Sequence, residues 1–427
     1  MCGVSNRQAG ENSTILTCYL VGGSSLCFLA DSSDPSVKSA SKFATVLSGI
    51  GGIELDGEEM AAAVSAKSIA DGTAWHAIPV DEVLRRLGAG AENGLAADEA
   101  AARQRACSMA QAHARAMILA TVKENVSLTV LDEDTGAIVA VLDVGERGVA
   151  KPHEITLSAD RTRAFVSLYG DADYGRNMPA NRIAVVDLAA LRLLGHIDLN
   201  LYRGPHALVT GADGRIWASV DPNRCVLVID PDTFEIERTI WLEVPGHFFA
   251  AAPDGRLYVS AKEYPVITEI DMAAREVVAR IPLPVGAQGI CVSSDGAHLY
   301  VGDFHRPLLH LVDRAARRVT ATVPLTGVPG WPFVSEDGAH VVVTTYDERA
   351  ERGFVEILDA TDLTRRRLVD LPAEPFHALF APDHRHCHVA LASGEIPKIS
   401  LETAAIVPGG FHAGGTMPEA LVRLEPS

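Results

Sequence analysis

The stretch PHALVTGADGRIWASVDPNRCVLVIDPDTFEIERTI, residues 205–240, contains four short runs of β-favouring residues. Three turn sequences separate the runs: Gly-Ala-Asp-Gly at 211–214, Asp-Pro-Asn-Arg at 221–224 and Asp-Pro-Asp-Thr at 230–233. Short apolar runs bounded by Gly, Pro and Asp are typical of antiparallel strands joined by tight turns. The stretch therefore predicts one four-stranded antiparallel sheet.

The first half of this phrase recurs along the chain. Its copies are PHEITLSADRTRAFVSL from Pro152, GHFFAAAPDGRLYVSA from Gly246, AQGICVSSDGAHLYVG from Ala287, PGWPFVSEDGAHVVVT from Pro329 and FHALFAPDHRHCHVAL from Phe376. Each predicted sheet has two apolar faces, so the sheets must stack around a common axis. Residues 417–424 supply an innermost strand without followers, and residues 117–144 supply three strands without a leader.

Joining these two pieces gives a seventh sheet. Roughly 310 residues shared among seven sheets is about 44 each, a length typical of propeller blades. The sequence predicts an all-β fold: a seven-bladed β-propeller over residues 116–427, closed by pairing of the C-terminal strand with the N-terminal strands. The repeats resemble the YVTN-type β-propeller family, whose repeat combines the same Asp-Gly turn with a following strand that ends in Asp. That resemblance implies the fold, whereas activities within such families are diverse.

A different kind of sequence precedes the propeller. We expect an unstructured tail at 1–14 and a small, mainly helical region at 15–115, because 81–87 and 96–117 are rich in Ala, Glu and Arg. Residues 75–105 resemble the N-terminal segment of P-type cation ATPases. The phosphorylated DKTG motif of that family is missing, so its pumping activity is not implied. This helical region is a candidate docking unit for a protein partner.

Charge and cysteine content restrict the class of partner. The chain of 427 residues carries 37 Lys and Arg against 55 Asp and Glu, a formal charge of −18. Such a surface does not favour nucleic acid or anionic membranes. The seven cysteines are scattered without a CxxC pair, which favours reduced thiols and a cytoplasmic location. Residues 15–30 lack formal charge and are expected to form a buried strand or helix. The alternative is the core of a secretion signal, which the residues on either side fit less well.

Aligning the repeats identifies one position per blade near the axis. Counting back from each turn Asp and matching PFHALF to GPHALV in blade six gives, in order, His153, His206, His247, Gln288, Gly330, His377 and Glu419. Equivalent residues of all blades converge at one mouth of the channel. Four imidazoles there predict a transition-metal site, with Fe(II) favoured and Cu or Zn as rivals.

The remaining ring residues suggest roles around that metal. Glu419 would orient a ligand, Gln288 would donate a hydrogen bond to a bound molecule, and Gly330 would leave an opening. A ring of structurally satisfied histidines and a metal-free polar pocket are the alternatives. The favoured activity is a metal-dependent oxidoreductase acting on a small organic substrate. The other candidate functions are a metal-dependent lyase or lactonase using the same ring, and a non-catalytic interaction platform.

Substrate contacts are predicted from loops at the same mouth. The candidates are Trp331, Tyr169, Tyr174, Arg176, Tyr202, Arg203 and Phe304. Tyr174 and Arg176 belong to an insertion that lengthens the first repeat, and long loops at a channel mouth often cover a site. The chain contains no GxSxG, Walker, HExxH or dinucleotide-binding motif.

Overall fold

The computed structural model of the protein describes residues 15–21, 24–30, 115–170 and 180–426. The chain divides into two units, residues 1–111 and 112–427. In the first unit, strand β1 (Ile15–Val21) pairs antiparallel with β2 (Ser24–Ala30). The predicted helices at 81–87 and 96–114, and the segment that resembles P-type ATPases, lie outside the described residues. The predicted helix cannot extend to residue 117, because Met117 begins a strand.

The second unit consists of seven four-stranded antiparallel sheets. We number the blades from one to seven, blade one being the first that is continuous in sequence. Their strands, from innermost to outermost, are β6–β9 (Pro152–Leu157, Arg163–Leu168, Arg182–Asp187, Arg192–Asp198), β10–β13 (Pro205–Thr210, Ile216–Val220, Cys225–Ile229, Ile236–Trp241), β14–β17 (Phe249–Ala251, Arg256–Val259, Val266–Asp271, Glu276–Pro282), β18–β21 (Ala287–Val292, His298–Asp303, Leu308–Asp313, Arg318–Pro324), β22–β25 (Val328–Val334, His340–Asp347, Arg352–Asp359, Arg365–Leu371), β26–β29 (Pro375–Phe380, His386–Leu391, Glu395–Ser400, Ile406–His412) and, for blade seven, β30 (Pro418–Leu424) followed by β3–β5 (Met117–Val122, Ser127–Asp132, Ile138–Asp143).

This arrangement confirms the predicted all-β propeller with seven blades. In blade seven the last strand of the chain pairs with β3, with Met117 opposite Leu424 and Val122 opposite Pro418. Within residues 115–170 and 180–426 there is no α-helix, and a single 3₁₀ turn lies at Asp221–Asn223. No helix of the described part has the length and apolar character needed to cross a bilayer.

Burial along the strands follows from blade stacking. The second and third strands of a blade are covered on both faces by neighbouring blades, so all residues of β4 and β12 are buried. Outermost strands alternate between partly buried and exposed residues, as in β17. The core is therefore a series of hydrophobic clusters between adjacent blades, and the innermost strands are left to line the axis.

Candidate functional site

A β-bulge near the start of the innermost strand determines which residue lies at the axis. In β10, Pro205 pairs with Val220 and Leu208 pairs with Ala218, so two residues, His206 and Ala207, face one residue on β11. Such a bulge bends the strand and re-aims a side chain. Equivalent bulges occur in blades one, four, five, six and seven. We call the first residue of each bulge pair the ring position.

The ring positions, from blade seven around to blade six, hold Glu419, His153, His206, His247, Gln288, Gly330 and Phe376. Blade three has no pairing register before Phe249, but the backbone N–H of His247 donates to Ser260, which places His247 at its ring position. Six of the seven predicted ring residues therefore occupy equivalent places in the fold.

His377 does not occupy the ring position. In β26, Pro375 pairs with Leu391 and Ala378 pairs with Val389, so Phe376 is the first residue of the bulge pair and His377 the second. Matching PFHALF to GPHALV placed His377 at the ring position, one residue beyond the residue found there. A count of seven residues back from Asp383 reaches Phe376, in agreement with the structure. The His377 ring packs edge-on against Phe333, with 4.5 Å between ring centres. His377 is not among the residues that line the axial cavity.

Three imidazoles from consecutive blades lie in contact at the ring. The ring centres of His153 and His206 are 4.5 Å apart, and those of His206 and His247 are 4.2 Å apart. The planes are tilted by 43° and 48°, respectively. Tyr169 packs against two of them, at 5.2 Å from His153 and 5.4 Å from His206. The three histidines are buried.

A buried carboxylate joins the first imidazole to a lysine. Oε1 of Glu419 lies 3.2 Å from Nδ1 of His153, and Oε2 forms an ion pair with Nζ of Lys123. Burial by itself would raise the pKa of Glu419, but His153 and Lys123 hold it well below its usual range. Because Glu419 is ionised, Nδ1 of His153 carries the proton that faces it, and Nε2 keeps its lone pair.

The outer nitrogen of the third imidazole is also fixed. Nδ1 of His247 donates to the backbone carbonyl of Gln288 at 3.1 Å, so Nε2 is an acceptor, and this atom is buried without a hydrogen-bond partner. Nδ1 of His206 is likewise buried without a partner. Buried polar atoms in proteins normally have partners, so these nitrogens are the kind of group that a ligand satisfies.

Burial keeps the three imidazoles neutral. It lowers the pKa of His153 to about 4, with Glu419 opposing the shift in part. For His206 and His247 burial lowers the pKa well below the ordinary value, and the cationic neighbours Lys262 and Lys123 contribute in the same direction at His206. Neutral imidazoles with free lone pairs can act as hydrogen-bond acceptors or as metal ligands at every physiological pH.

Hydroxyl groups on the second strands hold the ring backbone in place. The Oγ of Ser219 accepts from the N–H of Ala207 at 2.9 Å and donates to the carbonyl of His247 in the next blade at 3.0 Å. Ser167 and Ser260 make the same bridge one blade earlier and one blade later. Thr121 makes it between blades seven and one. The bridge thus supports the consecutive ring residues from His153 to Gln288.

A second set of side chains lies next to the ring. In each blade it is the residue that directly follows the second-strand pairing partner of the residue before the ring position. Around the axis these are Lys123, Tyr169, Asp221, Lys262, Phe304, Tyr346 and Ala392. Of this set, Tyr169 and Phe304 were predicted from the sequence, whereas Lys123, Asp221 and Lys262 were not. The same register count, applied to the second strand, would have found them.

The two sets enclose a cavity of about 180 Å³ at the axis. Its lining residues are Lys123, His153, Tyr169, His206, Asp221, His247, Lys262, Gln288, Trp331 and Glu419. Further buried atoms here have no hydrogen-bond partner: Oδ1 of Asp221, Oε1 of Gln288 and Nε1 of Trp331. Burial raises the pKa of Asp221 to about 8 and lowers that of Lys262, although each partly offsets the shift of the other.

The predicted substrate contacts are only partly brought together. Tyr169 and Trp331 line the cavity, as do the predicted catalytic residues Gln288 and Glu419. Tyr202 instead donates or accepts a hydrogen bond with Thr239 on the outermost strand of blade two, at 2.9 Å. Phe304 lies beside the cavity, 5.7 Å from Nζ of Lys262, without lining it.

Arg203 is held in the loop before β10, where its backbone N–H donates to Oδ1 of Asn223, and it does not line the cavity. Tyr174 and Arg176 lie outside the described residues. Among residues 115–170 and 180–426, no group of three or more His, Cys, Asp or Glu side chains is arranged to hold a metal ion. The predicted four-histidine metal site stays a prediction, and His377 lies outside the lining of the cavity.

Comparison with known proteins supports the fold alone. No family model and no curated protein matches the chain. Among solved structures, the chain is similar to Kuenenia stuttgartiensis hydrazine synthase, with 18% identity and a TM-score of 0.51 over 60% of this chain and 79% of that one. It is also similar to a functionally unknown protein from Desulfotomaculum acetoxidans, with 11% identity and a TM-score of 0.60 over 73% of this chain and 99% of that one. At these identities the shared feature is the propeller architecture.

Proposed function

We propose that the protein is a metal-dependent enzyme whose active site is the axial cavity, with a transition-metal ion held by His153, His206 and His247. The observation that carries the proposal is the orientation of the outer nitrogens. His153 faces a carboxylate and His247 donates to a backbone carbonyl. Metal-binding histidines have these two kinds of partner on the nitrogen that does not bind the metal.

Distance and charge also support the proposal. An imidazole nitrogen binds Zn or Fe at about 2.0–2.1 Å, so rings whose centres are 4.2 and 4.5 Å apart are close enough to share one ion. Their low pKa values remove competition from protons. The three side chains are not arranged around one common point in the described structure, so metal binding would involve a ring rotation. His206, whose Nδ1 has no hydrogen-bond partner, lacks the outer-nitrogen contacts that hold His153 at Glu419 and His247 at the carbonyl of Gln288.

The ligand set bears on the identity of the metal and on the reaction. Three neutral nitrogen ligands suit Fe(II), with Cu and Zn as rivals, and leave coordination positions open for substrate. We therefore favour an oxidoreductase that acts on a small organic molecule in the cavity. Gln288 would contact that molecule, and Glu419 would orient His153. The repeated phrases support a relationship to YVTN-type propellers, which leaves the reaction open.

A lyase or lactonase using the same ring is the second candidate. Asp221 favours it, because a carboxyl group with a pKa of about 8 lies in the cavity wall with a buried, unpartnered oxygen. Such a group can donate a proton near neutral pH. In this alternative the metal would polarise a carbonyl group of the substrate. Oxygen uptake with a panel of small organic acids and alcohols would identify the first class, because a lyase or lactonase consumes no dioxygen.

Metal analysis tests the proposal directly. We expect untagged protein to contain about one transition-metal ion per chain, and His206→Ala to lose it. His305→Ala is the matched control, because His305 is exposed and outside the cavity. Metal-free wild-type protein, with no uptake of Fe(II), Cu(II) or Zn(II) by titration, would overturn the proposal and favour the interaction-platform alternative.

A further inference from the structure

The axial cavity is lined by two chemically different kinds of group. The imidazoles and Glu419 present lone pairs and negative charge, whereas Lys262 of blade three and Trp331 of blade five present hydrogen-bond donors. Nε1 of Trp331 is buried and has no acceptor in the described part of the chain. An indole N–H can only donate, so the group that satisfies it must be an acceptor.

The ammonium group of Lys262 lacks a directly bound carboxylate in the described residues. Lys123, the other lysine of the cavity, is neutralised by its ion pair with Glu419. Nζ of Lys262, in contrast, has no carboxylate within ion-pair distance in the described residues, and its closest aromatic contact is the face of Phe304 at 5.7 Å. Asp221 shares the cavity wall without forming an ion pair with it. A half-buried ammonium in this setting attracts an anion.

Size and charge restrict the anion. A cavity of about 180 Å³ is close in size to an engineered cavity of about 150 Å³ that binds benzene, so it admits a molecule with few heavy atoms. No arginine lines the cavity, and one unpaired ammonium matches a single negative charge better than the nearly double charge of phosphate. The favoured guest is therefore a monoanion with few heavy atoms.

We propose that the axial cavity binds a small organic monocarboxylate of two to four carbon atoms, with the carboxylate group facing Lys262 and the indole N–H of Trp331. This proposal names the substrate class of the proposed enzyme. It rests on the proposed function only because it takes the axial cavity as the active site. The remainder of the molecule then extends toward the imidazoles. There His153 and His247 offer acceptor nitrogens to a hydroxyl group, or a metal held by them would bind a carbonyl group.

Matched pairs of ligands test the inference without knowledge of the substrate. Glycolate and propionate would be titrated into the protein by calorimetry, together with their neutral amides, glycolamide and propionamide. Wild-type protein is expected to bind the carboxylates at least tenfold more tightly than the amides. Lys262→Met should lose at least tenfold in carboxylate affinity, and Trp331→Phe should lose severalfold. Lys398→Met, a lysine in β28 away from the cavity, is the control.

The measurement is made both on protein as purified and on protein treated with a chelator. Carboxylate binding that survives metal removal and depends on Lys262 supports the inference even if the metal proposal fails. Equal binding of acids and amides, tighter binding of inorganic phosphate than of glycolate, or unchanged affinity in Lys262→Met would overturn it. Lys262→Arg keeps the charge, so retained binding in this variant separates loss of the cation from misfolding in Lys262→Met.

Discussion

The hydroxyl group of Ser219 donates a hydrogen bond of 3.0 Å to the carbonyl of His247 in the neighbouring blade. It also accepts from the backbone N–H of Ala207 within its own blade. The same side chain thus closes the bulge that presents His206 and locks the backbone of the next imidazole. Blades four and six have Gly302 and Ala390 at the equivalent place, so the support is concentrated where the ring residues are polar.

The Ser219 bridge predicts a measurable loss of stability. Ser219→Ala would leave a buried N–H and a buried carbonyl unsatisfied, and we expect a decrease of about 1–3 kcal/mol in the free energy of unfolding. Ser219→Thr keeps the hydroxyl group, as Thr121 does in blade seven, and should lose less. Urea denaturation followed by tryptophan fluorescence measures both. Equal stabilities of Ser219→Ala and wild type would show that the bridge is energetically unimportant.

The contacts of Glu419 predict a strong coupling with Lys123. Removing the charge in Glu419→Gln leaves a lysine in the cavity without its partner, and breaking a buried ion pair in this way costs about 3 kcal/mol. The double variant Lys123→Met/Glu419→Gln removes both charges and should recover part of that loss. Additive losses in the double-mutant cycle would contradict the proposed pairing.

A glycine next to the cavity predicts a steric effect on Trp331. A Cβ atom added to Gly289 would lie 2.6 Å from the carbonyl oxygen of Gly330 and 2.7 Å from Cα of Trp331. Since backbone atoms cannot move aside cheaply, Gly289→Ala should displace Trp331, with a loss of about 1–3 kcal/mol of stability and weaker glycolate binding. Gly302→Ala, whose Cβ would lie 3.2 Å from the side chain of Pro329 and 3.5 Å from the carbonyl oxygen of Gly330, is the milder comparison.

The fold could be predicted because its signal is repeated, whereas the site depends on register within single blades. Asp-Gly turns and apolar runs recur in every repeat, so an error in one blade does not change the architecture. The predicted position of His377 depended on one blade alone. There the similarity of PFHALF to GPHALV favoured an alignment one residue away from the one obtained by counting seven residues back from Asp383. Lys123, Asp221 and Lys262 share a structural position, but the seven residues at this position differ widely in type, so similarity among the repeats does not reveal it.

Acid sensitivity can be predicted from a histidine outside the cavity. His388 is 2% exposed, and its ring stacks on Phe411 at 4.4 Å. Burial lowers its pKa to about 4 from the ordinary value of 6.5. Between these two values the unfolded chain binds a proton that the folded protein does not, so this residue lowers stability as the pH falls from 6.5 toward 4.

Replacing His388 removes that contribution. In His388→Phe the slope of unfolding free energy against pH should be smaller by up to about 1.4 kcal/mol per pH unit within this window, and unchanged above pH 7. Urea titrations at pH 4.5, 5.5, 6.5 and 7.5 give the slope for both proteins. His153 and His377, which also have pKa values of about 4, contribute equally to both and cancel in the difference. Parallel profiles would show that His388 has the same pKa in the folded and unfolded states.

The corrected register of blade six gives a test that separates a ring residue from its neighbour. Nδ1 of His377 is buried without a hydrogen-bond partner, and its ring contacts Phe333. Replacing such a group by an apolar one of similar size removes the cost of an unsatisfied polar atom, so His377→Leu should be neutral or stabilising by about 1 kcal/mol. It should also leave the metal content unchanged, whereas His206→Ala should abolish metal binding. Loss of metal in His377→Leu would instead mean that the imidazole reaches the axis and that Phe376 does not hold the ring position.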